Sequence, residues 1–143
     1  MRHTLIPLKV VFLLTIFCLT GNLSHAAVNP KPFVIPELKQ WTGKEGSFIP
    51  GTDAKIVCTS SDSELLRIAH MFADDYQQMF GQTLSVTEGK AKAGDFILSL
   101  STDKKLGKEG YAIKIADRVT LSAPTPTGLY WSTRTLLQIA EQT

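Results

Sequence analysis

The fold of the chain is indicated first by residues 61–81, SDSELLRIAHMFADDYQQMFG. At 100° per residue, the apolar side chains of this stretch fill one continuous arc of about 160°, and polar side chains fill the rest of the wheel. The arc comprises Leu65, Leu66, Ile68, Ala69, Phe72, Ala73, Tyr76, Met79 and Phe80. Met71 is the one apolar residue on the polar side. Ser61 to Glu64 matches a capping box, and Gly81 supplies a C-terminal stop. The stretch predicts an amphipathic helix with one face buried against a sheet.

Short apolar stretches on both sides of this helix predict the strands of that sheet. They are residues 33–35, as an edge strand between prolines, and residues 47–50, 55–58, 83–87 and 95–100. Residues 109–115 alternate between apolar and polar types and return through 119–122. This alternation predicts a hairpin with its turn at 116–118.

A second helix is predicted after Thr127 and Gly128. Its broad apolar side contains Leu129, Tyr130, Leu136, Leu137, Ile139 and Ala140. Trp131 projects from the opposite, polar side. The order of strands, helix, strands and helix predicts an α+β fold of two layers, in which a mostly antiparallel, mixed sheet carries both helices on one face.

Residues 1–26 have the pattern of an export signal. Arg2 and Lys9 supply basic charge, an apolar run covers 10–19, and small residues suit cleavage after residue 26. We therefore expect a signal peptide over 1–26, a domain over 27–143 and a periplasmic or secreted protein. The apolar run is shorter than the about 20 residues of an ordinary transmembrane helix. An uncleaved anchor is the alternative interpretation.

The charge and composition of the predicted mature domain exclude several classes of function. Of the 15 basic residues in the chain, 13 remain after cleavage against 13 acidic residues, so no net charge attracts nucleic acid or an anionic membrane. Cys58 and His70 are then the sole cysteine and histidine, too few for a zinc site or an intramolecular disulfide. No nucleophile elbow, phosphate-binding loop or dinucleotide fingerprint occurs. We expect no catalytic residue, metal or cofactor.

Six short motifs follow one another along the predicted domain. They are Pro32-Phe33-Val34-Ile35-Pro36, Gly46-Ser47-Phe48, Lys108-Glu109-Gly110-Tyr111, Val119-Thr120-Leu121-Ser122-Ala123, Gly128-Leu129-Tyr130-Trp131 and Thr135-Leu136-Leu137-Gln138. Together they resemble the bacterial-type N-terminal domain of glycoside hydrolase family 20, the β-N-acetylhexosaminidases. The resemblance extends over about residues 32–141. Ser132 departs from the glycine often found in the family, which bears on local helix packing. Gly110 is expected to allow close backbone approach, and Gly128 a flexible turn into the helix.

The resemblance implies a non-catalytic, zincin-like domain without a metal centre. The zinc signature H-E-x-x-H is missing, since Met71 follows His70. In the family, catalysis belongs to a following barrel with an adjacent Asp-Glu pair. The Glu is the general acid, and the Asp orients the acetamido group of the substrate as nucleophile.

Such a barrel needs at least about 200 further residues, and the present sequence ends at Thr143. We therefore expect an accessory domain, as a fragment or truncated product, that braces a family 20 barrel in cis and hydrolyses nothing by itself. The alternative is a free-standing exported module that binds a protein or a glycan containing N-acetylhexosamine.

Several polar side chains have a plain structural interpretation beside a functional one. Asp74 and Asp75 form the one adjacent acidic pair, but helix neighbours point about 100° apart, and a solvated face is the expected role. His70, four residues before Asp74, is expected to lie on the same surface. Lys104, Lys105 and Lys108 are expected to form a solvated loop. Cys58 is expected to be a buried strand residue.

Trp41 and Trp131 are the aromatic side chains best suited to stack on a sugar or to contact a partner. For Trp41, packing within a loop is the alternative. In the resembling family the two helices lie between the sheet and the barrel. Met71 and Trp131, apolar residues within polar arcs, are therefore predicted domain-interface residues, exposed in an apolar patch when the barrel is absent.

Overall fold

A computed structural model describes residues 28–142. The predicted signal peptide and its cleavage position lie outside the described residues. The elements, in chain order, are β1 (Lys55–Cys58), α1 (Ser63–Phe80), β2 (Ser85–Glu88), β3 (Phe96–Leu100), β4 (Ala112–Ile115), β5 (Val119–Ala123) and α2 (Pro126–Ala140). A short 3-10 helix, Lys104–Leu106, lies in the basic loop between β3 and β4.

The five strands form one mixed sheet in the order β2-β1-β3-β5-β4. β1 pairs in parallel with β2 and with β3, β3 pairs in parallel with β5, and β4 pairs antiparallel with β5. The α+β class, the mixed sheet, the two helices and the hairpin are confirmed, whereas the expectation of a mostly antiparallel sheet is wrong. The reason is the crossovers: α1 returns the chain between β1 and β2, and β4 takes the outer edge so that β5 re-enters beside β3 in the same direction.

The core lies between the sheet and the two helices, which pack on the same face. Alternate strand residues point toward the helices, and the register aligns Ile56 with Phe96 and Phe96 with Val119. From α1, the ring of Phe72 meets Phe96 edge-on with centroids 5.5 Å apart, a favourable geometry for two aromatic rings. The helices bury Leu65, Ile68, Ala69, Phe72, Ala73, Tyr76, Leu129, Leu136 and Leu137 in this core.

The two ends of α1 follow local signals. The N-cap is Asp62 rather than the predicted Ser61, and its carboxylate accepts a hydrogen bond from the Leu65 N–H at 2.9 Å. A carboxylate caps a helix as well as a hydroxyl does. Because Asp62 and not Ser61 is the N-cap, the helix starts one residue later than predicted. Gly81, with φ at +73°, ends the helix in the left-handed conformation as predicted. The last turn of the predicted apolar arc extends beyond the core, because Met79 and Phe80 are exposed.

Residues 33–35 and 47–50 are not strands, contrary to prediction. The backbone of 33–35 bonds to the side chains of Gln138 in α2 and of Gln142 just beyond it, instead of to a strand. In 47–50, the ring of Phe48 packs edge-on against Phe96 with centroids 5.3 Å apart. The apolar character of this second stretch therefore reflects packing onto the core and not pairing in the sheet.

Two glycines allow close backbone approaches, one within the segment before β4 and one between that segment and the start of α2. A Cβ at Gly110 would stand 1.8 Å from the Leu106 carbonyl oxygen, and a Cβ at Gly128 would stand 2.5 Å from the Gly110 carbonyl oxygen. The prediction of close approach at Gly110 is confirmed. The prediction that Gly128 supplies a flexible turn is wrong, because α2 already begins at Pro126 after the N-cap Thr125. Gly128 lies within the first helical turn, where space and not flexibility requires it.

Hydroxyl groups are buried on the inner side of α2, a feature that its apolar pattern did not predict. Ser132 and Thr133 each donate to the backbone carbonyl three residues earlier, at 2.6 and 2.7 Å. The hydroxyls of Thr135 and Tyr111 lie 2.6 Å apart and share a hydrogen bond. Each of these hydroxyls is thus paired, as most buried polar groups are. Ser132 accordingly fits the helix without disturbing its packing.

Candidate interdomain surface

The acidic and histidine side chains singled out from the sequence do not form a reaction centre. Asp74 and His70 are exposed on α1, as expected. Asp75 is half-buried instead of solvated, because its Oδ2 lies 2.6 Å from Nη1 of Arg134 on α2. Over residues 28–142, no three His, Cys, Asp or Glu side chains are grouped so that they could hold a metal ion.

Cys58 is a buried strand residue, as predicted. Burial, and secondly the nearby charge of Glu88, raises the pKa of its thiol to about 11. A thiol with so high a pKa stays protonated near neutral pH and is a poor nucleophile. Lys104, Lys105 and Lys108 are exposed, in agreement with a solvated loop. Within the same described range, neither helix combines the length and the apolar character needed to span a bilayer.

The side of α2 that faces away from the sheet carries a stripe of large side chains. Trp131 and Gln138 fall within about 20° of each other at 100° per residue, and Gln142 follows two residues beyond the end of the helix at Ala140. The buried residues Leu129 and Leu136 lie on the other side of the helix. We call Trp131, Gln138 and Gln142 the outer stripe.

Trp131 is 43% exposed and is held by its neighbours. Its ring meets that of Tyr130 edge-on with centroids 5.1 Å apart. The Arg134 guanidinium lies 5.0 Å from the centroid of the Tyr130 ring, in cation–π contact, and is itself paired with Asp75 of α1. The Asp75–Arg134 ion pair between the helices therefore fixes the guanidinium that contacts the Tyr130 ring, and this ring in turn contacts Trp131.

Met71 is less exposed than the sequence suggested. It is partly buried on α1, and its sulfur accepts a hydrogen bond from Nη1 of Arg67 at 3.2 Å. The same Arg67 pairs with Glu64 through Nη2 at 2.8 Å. Met71 thus lies in a polar setting, whereas Trp131 presents a larger apolar surface. Their predicted role at a domain interface remains a prediction.

Residues 28–36 contain no helix or strand, and we call this segment the arm; its residues 33–35 lie beside Gln138 of α2 and Gln142. The Gln138 side chain accepts from the Ile35 N–H at 2.9 Å and donates to the Ile35 carbonyl at 3.0 Å. The Gln142 side chain accepts from the Phe33 N–H at 3.1 Å and donates to the Phe33 carbonyl at 2.7 Å. Two glutamine side chains thus supply the four hydrogen bonds that a neighbouring strand would otherwise provide. This pair of contacts is the glutamine clamp.

The clamp fixes which side chains of the arm face outward. Val34 is 2% exposed, whereas Phe33 is 78% and Ile35 69% exposed. The alternation is that of a strand, in which successive side chains point to opposite sides. The edge-strand prediction for 33–35 was therefore wrong about the partner but right about the extended backbone. The i, i+4 spacing of Gln138 and Gln142 was the sequence signal for the clamp, and it was missed.

The start of the arm is tied to the following loop. The Asn29 N–H donates to the Lys44 carbonyl at 3.0 Å, and the Asn29 side chain donates to the Gly46 carbonyl at 2.6 Å. The Trp41 indole N–H donates to the Asn29 carbonyl at 3.2 Å. Trp41 is partly buried, and these contacts favour loop packing over sugar stacking for this residue.

Two concave regions lie away from the outer stripe. An apolar groove of about 140 Å³ runs between the C-terminal ends of the helices, lined by Phe48, Pro50, Tyr76, Phe80, Phe96, Leu136 and Ala140. An open cleft of about 350 Å³ lies where β1, β3 and β5 begin, among residues 47–51, 93–94 and 116–117. Its carboxylate, Asp117, is engaged by Arg118 at 2.9 Å, which holds the pKa of Asp117 below its usual value.

Solved structures with a similar fold include two bacterial hexosaminidases. The GH20 β-N-acetylhexosaminidase from Streptomyces coelicolor A3(2) is 26% identical, with a TM-score of 0.54, over 64% of this chain and 18% of its own. The Streptomyces plicatus N-acetyl-β-hexosaminidase in complex with Thio-NAglucal is 23% identical, with a TM-score of 0.51, over 79% of this chain and 19% of its own. The chain thus spans about a fifth of the length of these relatives.

Comparison with curated protein sequences produced no significant match. The family model described as glycosyl hydrolase family 20, domain 2, by contrast, matches residues 31–143, which include residues 31–36 of the arm, the whole sheet and both helices. The order of motifs, the two-layer α+β fold and this match agree, and the chain belongs to glycoside hydrolase family 20, in which it corresponds to the non-catalytic N-terminal domain.

Proposed function

We propose that this chain is an accessory domain that braces the catalytic barrel of a family 20 β-N-acetylhexosaminidase, with the outer stripe of α2 turned toward that barrel. The observation that carries the proposal is the exposure of Trp131 on a rigid support. A tryptophan that packs edge-on against Tyr130, whose ring is itself held by Arg134, yet is 43% exposed, is suited to being buried by a partner.

The exposed part of Trp131 supplies a useful free energy of docking. A tryptophan side chain presents up to about 250 Å², so a 43% exposed one leaves about 100 Å² to be covered. At about 25 cal/mol per Å², complete burial contributes about 2.5 kcal/mol. Because the indole is already held in place, little side-chain entropy is lost on docking.

The reaction of the whole enzyme is proposed by family membership. Relatives are named as β-N-acetylhexosaminidases, and one is described in complex with Thio-NAglucal. We infer that the partner barrel removes terminal N-acetylhexosamine residues and that this domain does not contact the reacting atoms. The pattern of residues 1–26 supports export to the periplasm or beyond, with the domain beginning at residue 27.

The experiment uses the chain expressed without residues 1–26. We expect no turnover of a chromogenic N-acetylglucosaminide above the blank. We also expect a complex, by sedimentation, with the catalytic part of the Streptomyces coelicolor enzyme freed of its own copy of this domain. That relative's own domain serves as the positive control. Turnover that follows the protein through repurification would overturn the non-catalytic role, and failure to form a complex while the control binds would overturn the bracing role.

A second candidate function is a free-standing glycan-binding module, and the exposed indole of Trp131 is the observation that favours it. Aromatic faces pair with the apolar faces of sugars. Titration with N-acetylglucosamine oligosaccharides, followed by tryptophan fluorescence, separates the two candidates. Because Trp41 also fluoresces, the Trp131→Ser variant is the control. A saturable change that is lost in this variant would favour the glycan-binding module.

A further inference from the structure

The glutamine clamp holds two large apolar side chains in solvent. Phe33 and Ile35 have their backbone N–H and carbonyl groups satisfied by Gln142 and Gln138, so neither residue can turn inward without breaking two hydrogen bonds. Gln142 also donates to the Gln138 carbonyl at 2.6 Å, which immobilises it further. Ordering long glutamine side chains costs conformational entropy, which the four hydrogen bonds offset. The clamp therefore keeps the side chains of Phe33 and Ile35 pointing into solvent.

The arm and Trp131 belong to one surface. Gln142 binds Phe33 and Gln138 binds Ile35, so residues 33–35 run antiparallel to α2. At 1.5 Å per residue, Trp131 lies about 10 Å along the helix axis from Gln138. Phe33, Ile35 and Trp131 are the exposed large apolar side chains of the arm and of α2, and we call these three the apolar row.

The charges beside the apolar row are neutralised in pairs. Nζ of Lys31 lies 2.6 Å from Oε1 of Glu37, two residues that flank 33–35 in the chain, and Arg134, three residues after Trp131, lies 2.6 Å from Asp75. A row without net charge offers no attraction to anionic lipid or nucleic acid. An apolar row flanked by paired charges is instead complementary to the surface of a folded protein domain.

We infer that the arm is a docking element, and that the catalytic domain of the family 20 enzyme covers Phe33 and Ile35 together with Trp131. The inference rests on the proposed function and adds a second contact to it, made by the arm and positioned by the glutamine clamp. The family match begins at residue 31 and thus includes the clamped residues. In the relatives, about four fifths of the polypeptide lies outside the part that this chain matches. The catalytic domain that we infer to cover these side chains belongs to that larger part.

The test compares variants of the chain, expressed without residues 1–26, for affinity to the catalytic part of the Streptomyces coelicolor enzyme. Replacing Phe33→Ser and Ile35→Ser together should weaken binding at least about tenfold and leave the melting temperature nearly unchanged, because both side chains are exposed. Ile49→Ser is the matched control. Ile49 is 79% exposed, and its neighbours Phe48 and Pro50 line the apolar groove together with Leu136 and Ala140, away from the outer stripe.

A second pair of substitutions tests the clamp with the apolar side chains intact. Gln138→Ala with Gln142→Ala should speed amide hydrogen exchange at Phe33 and Ile35 and weaken binding by a similar factor. Faster exchange with unchanged affinity would overturn the positioning role of the clamp.

Each outcome bears on one proposal or on both. If the parent chain binds and the Phe33 and Ile35 variant binds equally well, the docking role of the arm is refuted while the proposed function stands. If the parent chain does not bind and the positive control does, both fail. Self-association that the Phe33 and Ile35 variant abolishes, or binding to phosphatidylglycerol vesicles that it weakens, would replace the catalytic domain by a second copy or by a lipid surface and overturn the inference.

Discussion

Replacing Gly128 with alanine tests the close contact between α2 and the segment before β4. A Cβ at this position would stand 2.5 Å from the Gly110 carbonyl oxygen and 3.1 Å from the Ala123 Cβ. An ordinary contact between carbon and oxygen is at least about 3.2 Å, so the two segments must separate by about 0.7 Å. The Thr125 hydroxyl, which donates to the Lys108 carbonyl, and the Tyr111–Thr135 hydrogen bond join the same two segments and resist that movement.

Two effects oppose each other in this variant. Alanine favours a helix over glycine by up to about 1 kcal/mol. Overpacking in a well-packed region costs about 1–3 kcal/mol. Because the obstacle is a backbone carbonyl instead of a flexible side chain, we expect the upper part of that range and a net destabilisation of about 1–2 kcal/mol. For a domain of this size, the melting temperature should fall by roughly 4–10 °C.

The assay is urea unfolding and thermal melting, followed by far-ultraviolet circular dichroism. Gly51→Ala is the matched control, because a Cβ there would meet its nearest neighbour at 3.6 Å and its φ is not positive. That control should be neutral or stabilised by up to about 1 kcal/mol. A Gly128→Ala variant as stable as the parent chain would refute the claim that space, and not flexibility, requires glycine at this position.

Three further predictions concern other parts of the molecule. Cys58 should react slowly with a thiol reagent until denaturant is added, because it is buried and its thiol pKa is raised to about 11. The raised pKa belongs to the folded state, so the stability that depends on a protonated Cys58 is fully present below about pH 9 and is lost as the pH rises from about 9 to 11. In urea unfolding, the Cys58→Ala variant should not show this loss. Asp75→Asn should lower the unfolding free energy by about 1 kcal/mol, because it breaks a half-buried pair with Arg134, and an unchanged urea midpoint would contradict this. Trp131→Ser should change the melting temperature little and improve solubility while weakening docking to the catalytic domain, whereas a large loss of stability would show Trp131 to be a core residue.

Local patterns predicted the elements whose signals lie within a few residues of one another. The 3.6-residue period located α1, and Gly81 ended it in the left-handed conformation. The alternation of 109–115 with 119–122 located the β4–β5 hairpin, because a short turn forces its two strands to pair. Cys58 followed from its place in an apolar strand.

Long-range contacts decided the remainder. The stretches 33–35 and 47–50 have strand-like composition, yet one is bound by glutamine side chains more than 100 residues away and the other packs Phe48 on Phe96. Likewise, nothing local to Asp75 revealed its partner Arg134 on the other helix.

The sequence by itself determined the helices, the hairpin, the apolar residues of the core and the resemblance to family 20, because periodicity and caps act over one or two turns of chain. Tertiary structure alone decided the parallel pairing of β1, β2, β3 and β5, the close contact at Gly128 and the clamp that turns Phe33 and Ile35 outward. The physical reason is that a strand or an extended arm leaves its backbone hydrogen bonds unsatisfied, and the partner that satisfies them is chosen by the packing of distant segments and not by neighbours in the chain.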